Sequence, residues 1–332
     1  MDNHPPGLRL ARYAMGTRFE AVLMGDDEVH LRAAGEAALD EIEFFDARLD
    51  LFKKDSFVCH LNRSAFDAPV RVDADFFDLL ALCLRVSRAS QGAFDITVGS
   101  LMECWGFHGG SLEEPRVEAR ARAMERVGFQ QIELDEDART IRFLKPGLRL
   151  DFGAVAKGFA LDRAREILKD AGIRAALIHG GTSTIVAMGA PAGLPAWKIA
   201  IQDPEQDDAA IAYAELCDRT LSVSAPHGRS FRSQDRMWGH VMNTTEGGPA
   251  KEPLNLAAVV GTSAALADAW STALVAAGAM QFDALMEAAN KEMKPITALV
   301  GTTETEPVLS RLKGPEPELF IGPDGSSGTQ ES

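Results

Sequence analysis

The chain has 332 residues, 46% hydrophobic and 25% charged, with a formal net charge of −15 and a pI near 4.9. That composition supplies ample apolar material for a core and excludes a basic stripe able to displace counterions from nucleic-acid phosphates. It also disfavours an anionic membrane surface, and a phosphorylated ligand on so acidic a protein needs local cations, which points to a divalent metal.

The opening Met1-Asp2-Asn3-His4-Pro5-Pro6 has no basic segment, apolar segment or lipobox cysteine, so a cytoplasmic location is expected. No apolar run reaches membrane-spanning length. Residues 9–24 alternate as paired strands around Met15-Gly16-Thr17, and Glu28 to Phe52 has helical spacing. A second helix is predicted over Asp75–Ser90, capped by Asp73 or Asp75 and ended by Gln91-Gly92. Cys83 falls on its apolar face as a small core residue. The four cysteines are widely spaced with no CxxC pair, which removes zinc-ribbon and redox readings. Helix follows over Val117–Val127, then a hairpin of Gln131–Leu134 and Thr140–Phe143. An amphipathic helix is expected over Phe159–Ala171, closed by Gly172, then strands at Ala175–Ile178, Trp197–Gln202, Ala212–Leu216 and Thr220–Ser224. Ala264–Gly278 reads as a strongly apolar helix. Residues 1–313 read as one domain, and 314–332, rich in Pro, Gly, Ser and acid, as a disordered acidic tail.

Four segments carry chemistry. Leu150–Asp162 runs from an apolar strand into Asp151, a turn through Gly153 and Ala154, and Lys157 at the start of a helical pattern. Such a turn gathers backbone N–H groups and one mobile cation, a usual arrangement for phosphate oxygens; an ordinary connection with a surface lysine is the plain alternative. Asp268 and Thr272, at i and i+4, project from one helix face with Ser271 beside them. A carboxylate and a hydroxyl so placed suit Mg²⁺, unless Asp268 merely caps the helix; an Asp in so apolar a helix usually has a partner. In Gly92–Gly99, small residues let backbone approach a flat ligand, and Asp95 can accept from a ligand N–H or hydroxyl; with Trp105-Gly106-Phe107 following, a glycine-ended helix leading into an aromatic core segment is the plain alternative. His240 at a strand edge is either a general base or a buried structural histidine.

In this order and spacing, and with Met15-Gly16-Thr17, Asp55-Ser56, Leu61-Asn62 and Gly180-Gly181, the segments resemble the ApbE family of FAD:protein FMN transferases. No single piece is decisive, but their joint occurrence from Met15 to Gly278 is specific. The resemblance implies an α+β fold of the T-fold type, antiparallel sheets flanked by helices with an FAD cleft. It implies Mg²⁺-dependent transfer of FMN from FAD to a Thr or Ser hydroxyl of an acceptor flavoprotein, with release of AMP. By the same resemblance Met15, Phe52, Ala93, Phe94, Asp95, Asp151, Lys157 and Val241 would line or contact FAD. Asp268, Thr272, the Ala154 carbonyl and Ser271 would hold the metal, and His240 would take the proton from the acceptor hydroxyl.

The chain departs from the family pattern on the acceptor side. After His240-Val241-Met242 an Asn243 stands where an acid is usual, Val223-Ser224-Ala225-Pro226-His227 replaces a Thr-Ser-Gly-Asp-Tyr pattern, and Thr182-Ser183 replaces the acid after Gly180-Gly181. If the missing acid orients His240, an amide would do so poorly. Two alternatives to transfer therefore stand: FAD pyrophosphatase, with water in place of the acceptor, and a non-catalytic FAD-binding protein.

Overall fold

The computed structural model describes residues 7–204, 209–226, 230–233, 236–250, 254–292, 297–302, 308–313 and 319–321. Eight strands form one sheet: β1 (Gly7–Ala14), β2 (Thr17–Met24), β3 (Ala175–Gly180), β4 (Thr184–Met188), β5 (Thr220–Ser224), β6 (Leu256–Gly261), β7 (Thr297–Thr302) and β8 (Val308–Lys313). Their spatial order follows their chain order, and each neighbouring pair is antiparallel. The β1–β2 turn is made by Met15 and Gly16, at φ 48° and 73°. Two successive left-handed residues match the twist of a tight hairpin, and they place a non-glycine residue in αL.

Among the described residues the α-helices are α1 (Glu28–Leu49), α2 (Phe57–Ser64), α3 (Ala74–Ala89), α4 (Gly99–Cys104), α5 (Val117–Met124), α6 (Ala156–Asp170), α7 (Ala264–Ala277) and α8 (Phe282–Glu292). Local chemistry explains most of their starts. Asp27, Ser56, Asp73 and Ser263 each accept a backbone N–H of the helix they precede. Asp73, rather than Asp75, therefore caps α3. Gly172, at φ 78°, follows the end of α6.

Helices α1, α6 and α7 cover one face of the sheet, burying Phe19, Ala21, Ile42, Phe45, Phe159 and Trp270 in one core. A small antiparallel sheet of Trp197–Gln202, Ala210–Leu216 and Leu319–Ile321 covers the other face. It packs Ile201, Ala212 and Leu216 against Ile185, Ala258 and Val260. Strand β6 is buried at every position, with Ala257 and Val259 facing the helices and Ala258 and Val260 facing the small sheet. Leu319–Ile321 thus form a strand where an unstructured tail was expected; the rest of 314–332 lies outside the described residues, as does His227.

A third apolar cluster joins Leu101, Trp105, Phe107 and Ala123 to Trp238 and Met242. It fastens the ribbon of Ser230–Ser233 and Arg236–Gly239 to α4 and α5. Among the described residues no helix is long and apolar enough to cross a membrane.

Candidate active site

A cleft of about 1010 Å³ opens between α6, α7, the central strands and the loops after α3 and α4. That is at the upper end for small-molecule sites. It is lined by Met15, Phe52, Ala93, Phe94, Asp95, Asp151, Ala154, Lys157, His240, Val241, Asp268 and Thr272, so sequence positions more than 250 residues apart meet at one site.

One wall is the Leu150–Gly158 turn. Asn62 clamps Leu150 from both sides: its Nδ2 donates to the Leu150 carbonyl (3.1 Å), and its Oδ1 accepts the Leu150 N–H (2.8 Å). The Asp151 N–H then donates to the Ile96 carbonyl at 2.7 Å. Asp151 Oδ1 accepts the Gly153 N–H at 2.7 Å, and Oδ2 lies 2.7 Å from His108 Nε2. Burial pushes this carboxyl up, but the hydrogen bond and charge of His108, the Gly153 N–H and the charge of His240 outweigh it and hold it below the usual range.

Helix α6 begins three residues earlier than its periodicity predicts because its cap comes from elsewhere. Val155, at the N-cap, makes no side-chain cap bond; Asp268 of α7 accepts the Gly158 N–H at 2.7 Å. The favour is returned. Asp162 of α6 accepts the N–H groups of Ala264 and Ala265, both at 3.0 Å, and the Ser263 hydroxyl at 2.7 Å. The helices can exchange caps because Gly158 lies against the backbone of Ala264 and Ala265 with no room for a Cβ. This arrangement corrects one expectation. The Val155 and Ala156 N–H groups donate to the Phe152 carbonyl, and Gly158 donates to Asp268. These N–H groups are therefore not available to a phosphate, and half-buried Lys157 is the cation that this turn brings to the cleft.

Asp268 is 5% exposed. Its Oδ1 accepts the Thr184 hydroxyl at 2.9 Å. Burial raises its carboxyl above the usual range, opposed by the charge of Lys157 and by the Ser222, Thr184 and Gly158 donors. A buried carboxylate, with Thr272 one turn along and Ala154 also lining the cleft, offers carboxylate, hydroxyl and carbonyl oxygens of the hard kind that fits Mg²⁺. No cluster of three His, Cys, Asp or Glu able to hold a metal occurs among the described residues, so ligand phosphate and water would complete the coordination. Ser271 does not line the cleft. Its hydroxyl donates to the Asp268 carbonyl (3.1 Å) and lies 3.0 and 2.7 Å from the Ser222 and Ser224 hydroxyls, fastening α7 to β5.

Asp95 lines the cleft with its oxygens largely occupied. Oδ1 accepts the Thr97 N–H (2.8 Å) and hydroxyl (2.7 Å), and Oδ2 the Phe129 N–H (3.0 Å). It fixes the loop that carries Ala93 and Phe94, and only Oδ2 keeps a lone pair for a ligand donor. Burial raises this carboxyl against those three bonds.

His240 follows the ribbon at Gly239, whose Cα abuts the Pro226 carbonyl too closely for any side chain. Val241 accepts the Ala250 N–H at 2.9 Å. Asn243 plays a different part from the one its place after His240 suggested. Its Oδ1 accepts the N–H groups of Thr245 (2.9 Å) and Glu246 (3.0 Å), closing the next turn. Only an acceptor oxygen is used, which Asn supplies as well as Asp. That turn is seated on the aromatic segment by bonds from Thr244 to the Gly92 carbonyl (2.8 Å) and from Trp105 Nε1 to the Gly247 carbonyl (3.1 Å).

Among the cleft residues that escaped the sequence reading, His108 and Thr184 make specific contacts with predicted site residues. His108 has no periodic or motif signal beyond standing between glycines directly after Trp105-Gly106-Phe107. Thr184 is marked by its register opposite Ser222, which only the sheet reveals.

A lysine and a buried carboxylate on one wall and an imidazole on another line a single cleft of about 1010 Å³, an arrangement able to hold a phosphate-bearing ligand beside a titratable group. The family profile described as "ApbE family" matches residues 15–298, and the chain belongs to that family. It is 28% identical over 88% of its length to a protein of Klebsiella pneumoniae named FAD:protein FMN transferase, covering 91% of that relative. It is similar to the ApbE protein of Thermotoga maritima, with a TM-score of 0.80 and 26% identity over 92% of this chain and all of that one. The flavin transferase ApbE of Vibrio cholerae shares its fold, with a TM-score of 0.76 at 22% identity over 93% of this chain and 97% of that one.

Proposed function

We propose that this protein is a Mg²⁺-dependent FAD:protein FMN transferase that moves FMN from FAD onto a Thr or Ser hydroxyl of an acceptor flavoprotein and releases AMP. The observation that carries this reading is the convergence of His240, Lys157 and Asp268 on one cleft of nucleotide size, in a chain whose relatives bear that name.

Phosphoryl transfer needs charge neutralisation and an aligned nucleophile more than covalent help from the protein. Lys157 supplies fixed positive charge to the phosphate oxygens. Mg²⁺ held by Asp268, Thr272 and the Ala154 carbonyl would add the charge neutralisation that a lining with Asp46, Asp50, Asp151 and Asp203 otherwise lacks. Phe52, 64% exposed, offers an aromatic edge at the mouth, while Met15, Ala93 and Phe94 supply apolar walls for the flavin. His240 accepts the proton of the acceptor hydroxyl as its oxygen bonds to the FMN phosphorus. The bond from that phosphorus to the bridging oxygen breaks, and AMP leaves with the oxygen.

Asn243 removes one argument for a merely FAD-binding protein, because it closes a turn instead of orienting His240. The test is mass spectrometry of an acceptor flavoprotein after incubation with this protein, FAD and Mg²⁺, with AMP scored in the same sample. A Mg²⁺-dependent adduct of FMN mass supports the proposal. AMP and free FMN without adduct point to a pyrophosphatase, and absence of AMP to a binding protein.

A further inference from the structure

The reaction as drawn leaves His108 without a task. It lies on the loop after α4, between Gly106 and Gly109, whose φ values of 80° and 95° turn the loop back over the cleft. A Cβ on Gly106 would strike the Ser111 backbone, so the fold of this loop depends on that glycine. The His108 side chain is 13% exposed and lines the cleft beside Asp151 and Phe52. Its Nε2 is 2.7 Å from Asp151 Oδ2, and its ring stands edge-on to Phe52, with centroids 6.2 Å apart at 84°.

The Asp151 carboxylate is therefore held from two directions, by Gly153 N–H on one oxygen and by His108 on the other. An ionised carboxylate accepts and does not donate, so its remaining lone pairs suit hydroxyl or N–H donors and repel phosphate. We infer that His108 is a positioning residue for the nucleotide: it locks Asp151 and the edge of Phe52 into one unit that receives a donor-bearing part of the substrate, a sugar-type hydroxyl or a ring N–H. The inference rests on FAD being the substrate. It assigns the pyrophosphate to the Lys157–Asp268 side of the cleft and the polar groups away from the phosphates to the Asp151 side. The depressed Asp151 carboxyl fits this role, since a neutral acid here would lose most of its accepting power. Removing the imidazole leaves a buried carboxylate without its charge-assisted partner, and such a group protonates or turns away.

The experiment is titration of FAD into the full-length protein, followed by flavin fluorescence. It compares wild type with His108→Ala, His108→Gln, Asp151→Asn and the His108→Ala/Asp151→Asn pair, each confirmed as folded by a single cooperative unfolding transition. His108→Ala is expected to weaken FAD binding about 10-fold. His108→Gln, whose amide N–H can reach Oδ2, should recover most of that loss. The double variant should bind no more weakly than Asp151→Asn alone, and in turnover the loss should fall on KM for FAD more than on kcat. Additive losses, failure of Gln to rescue, or wild-type affinity in His108→Ala would each overturn the inference. Absence of FAD binding by the wild-type protein would instead remove the functional reading on which it stands.

Discussion

Gly158→Ala separates local helix propensity from the packing of α6 on α7. In an isolated helix this substitution stabilises by about 1 kcal/mol. Here the new Cβ would lie 2.6 Å from the Ala265 nitrogen and nearer still to the Ala264 carbonyl. Both are backbone atoms in the first turn of α7, so no side chain can swing aside. Restoring van der Waals contact requires α7 to retreat by roughly 1 Å. That movement stretches the 2.7 Å bond from Gly158 to Asp268 and the two 3.0 Å bonds from Ala264 and Ala265 to Asp162. Overpacking costs about 1–3 kcal/mol, and each weakened cap adds up to about 1 kcal/mol. The net expectation is destabilisation by about 2–4 kcal/mol, opposite in sign to the propensity effect. Urea unfolding at neutral pH measures it directly, and calorimetric titration with Mg²⁺ in the presence of FAD should show weakened metal binding as Asp268 is displaced. A variant as stable as wild type would refute the tight α6–α7 contact and the cap exchange built on it.

The remaining predictions concern single side chains. Asp268→Ala should abolish metal-dependent activity, and unchanged turnover at limiting Mg²⁺ would remove the metal assignment. His240→Ala should keep FAD affinity while transfer falls roughly 10²- to 10⁴-fold; retained transfer would reduce His240 to a structural role. Asn243→Asp should leave transfer unchanged, whereas Asn243→Ala should lower stability by about 1 kcal/mol through the lost turn bonds, read from the unfolding midpoint. The folded pKa of Asp151 lies below that of the unfolded chain, about 3.9. Its ionised form therefore contributes stability in full above that pH and loses it as pH falls through the lower folded value. Urea midpoints of wild type and Asp151→Asn should differ near neutral pH and converge in acid; a gap that persists below both pKa values would contradict the assignment.

Helices α1, α3, α5, α6 and α7 were legible because their information is local, whereas α2, α4 and α8 were not predicted. Asp27, Asp73 and Ser263 stand beside the turns they cap, and apolar spacing marks the buried faces of α1 and α3. The start of α6 was misplaced for the converse reason, since its cap lies 110 residues away on another helix. The segments that meet in the cleft were visible as motifs, but the division of labour among them was not. Asp268 and Ser271 are near neighbours on α7, yet only Asp268 lines the cleft; the register of β5 decides that Ser271 turns toward Ser222 and Ser224. Asn243 looked like a weakened partner for His240 because adjacency in sequence suggests contact, whereas its side chain is consumed by the following turn. His108 carried no pattern at all, since its importance comes from a loop that folds back onto Asp151.

The order of the main sheet bears on how the chain assembles during translation. Strands β1 and β2 form a hairpin as soon as both leave the ribosome, but the partner of β2 is β3, which begins at Ala175. About 150 residues separate Met24 from Ala175, so at ordinary synthesis rates the open edge of β2 waits roughly 8–30 s for its neighbour. Phe19, Ala21 and Leu23 have no complete core to enter during that interval, although α1 follows at once and can shield their face. The unpaired edge has no such cover, and that is where a holding chaperone, or a second nascent copy, would first find this protein vulnerable.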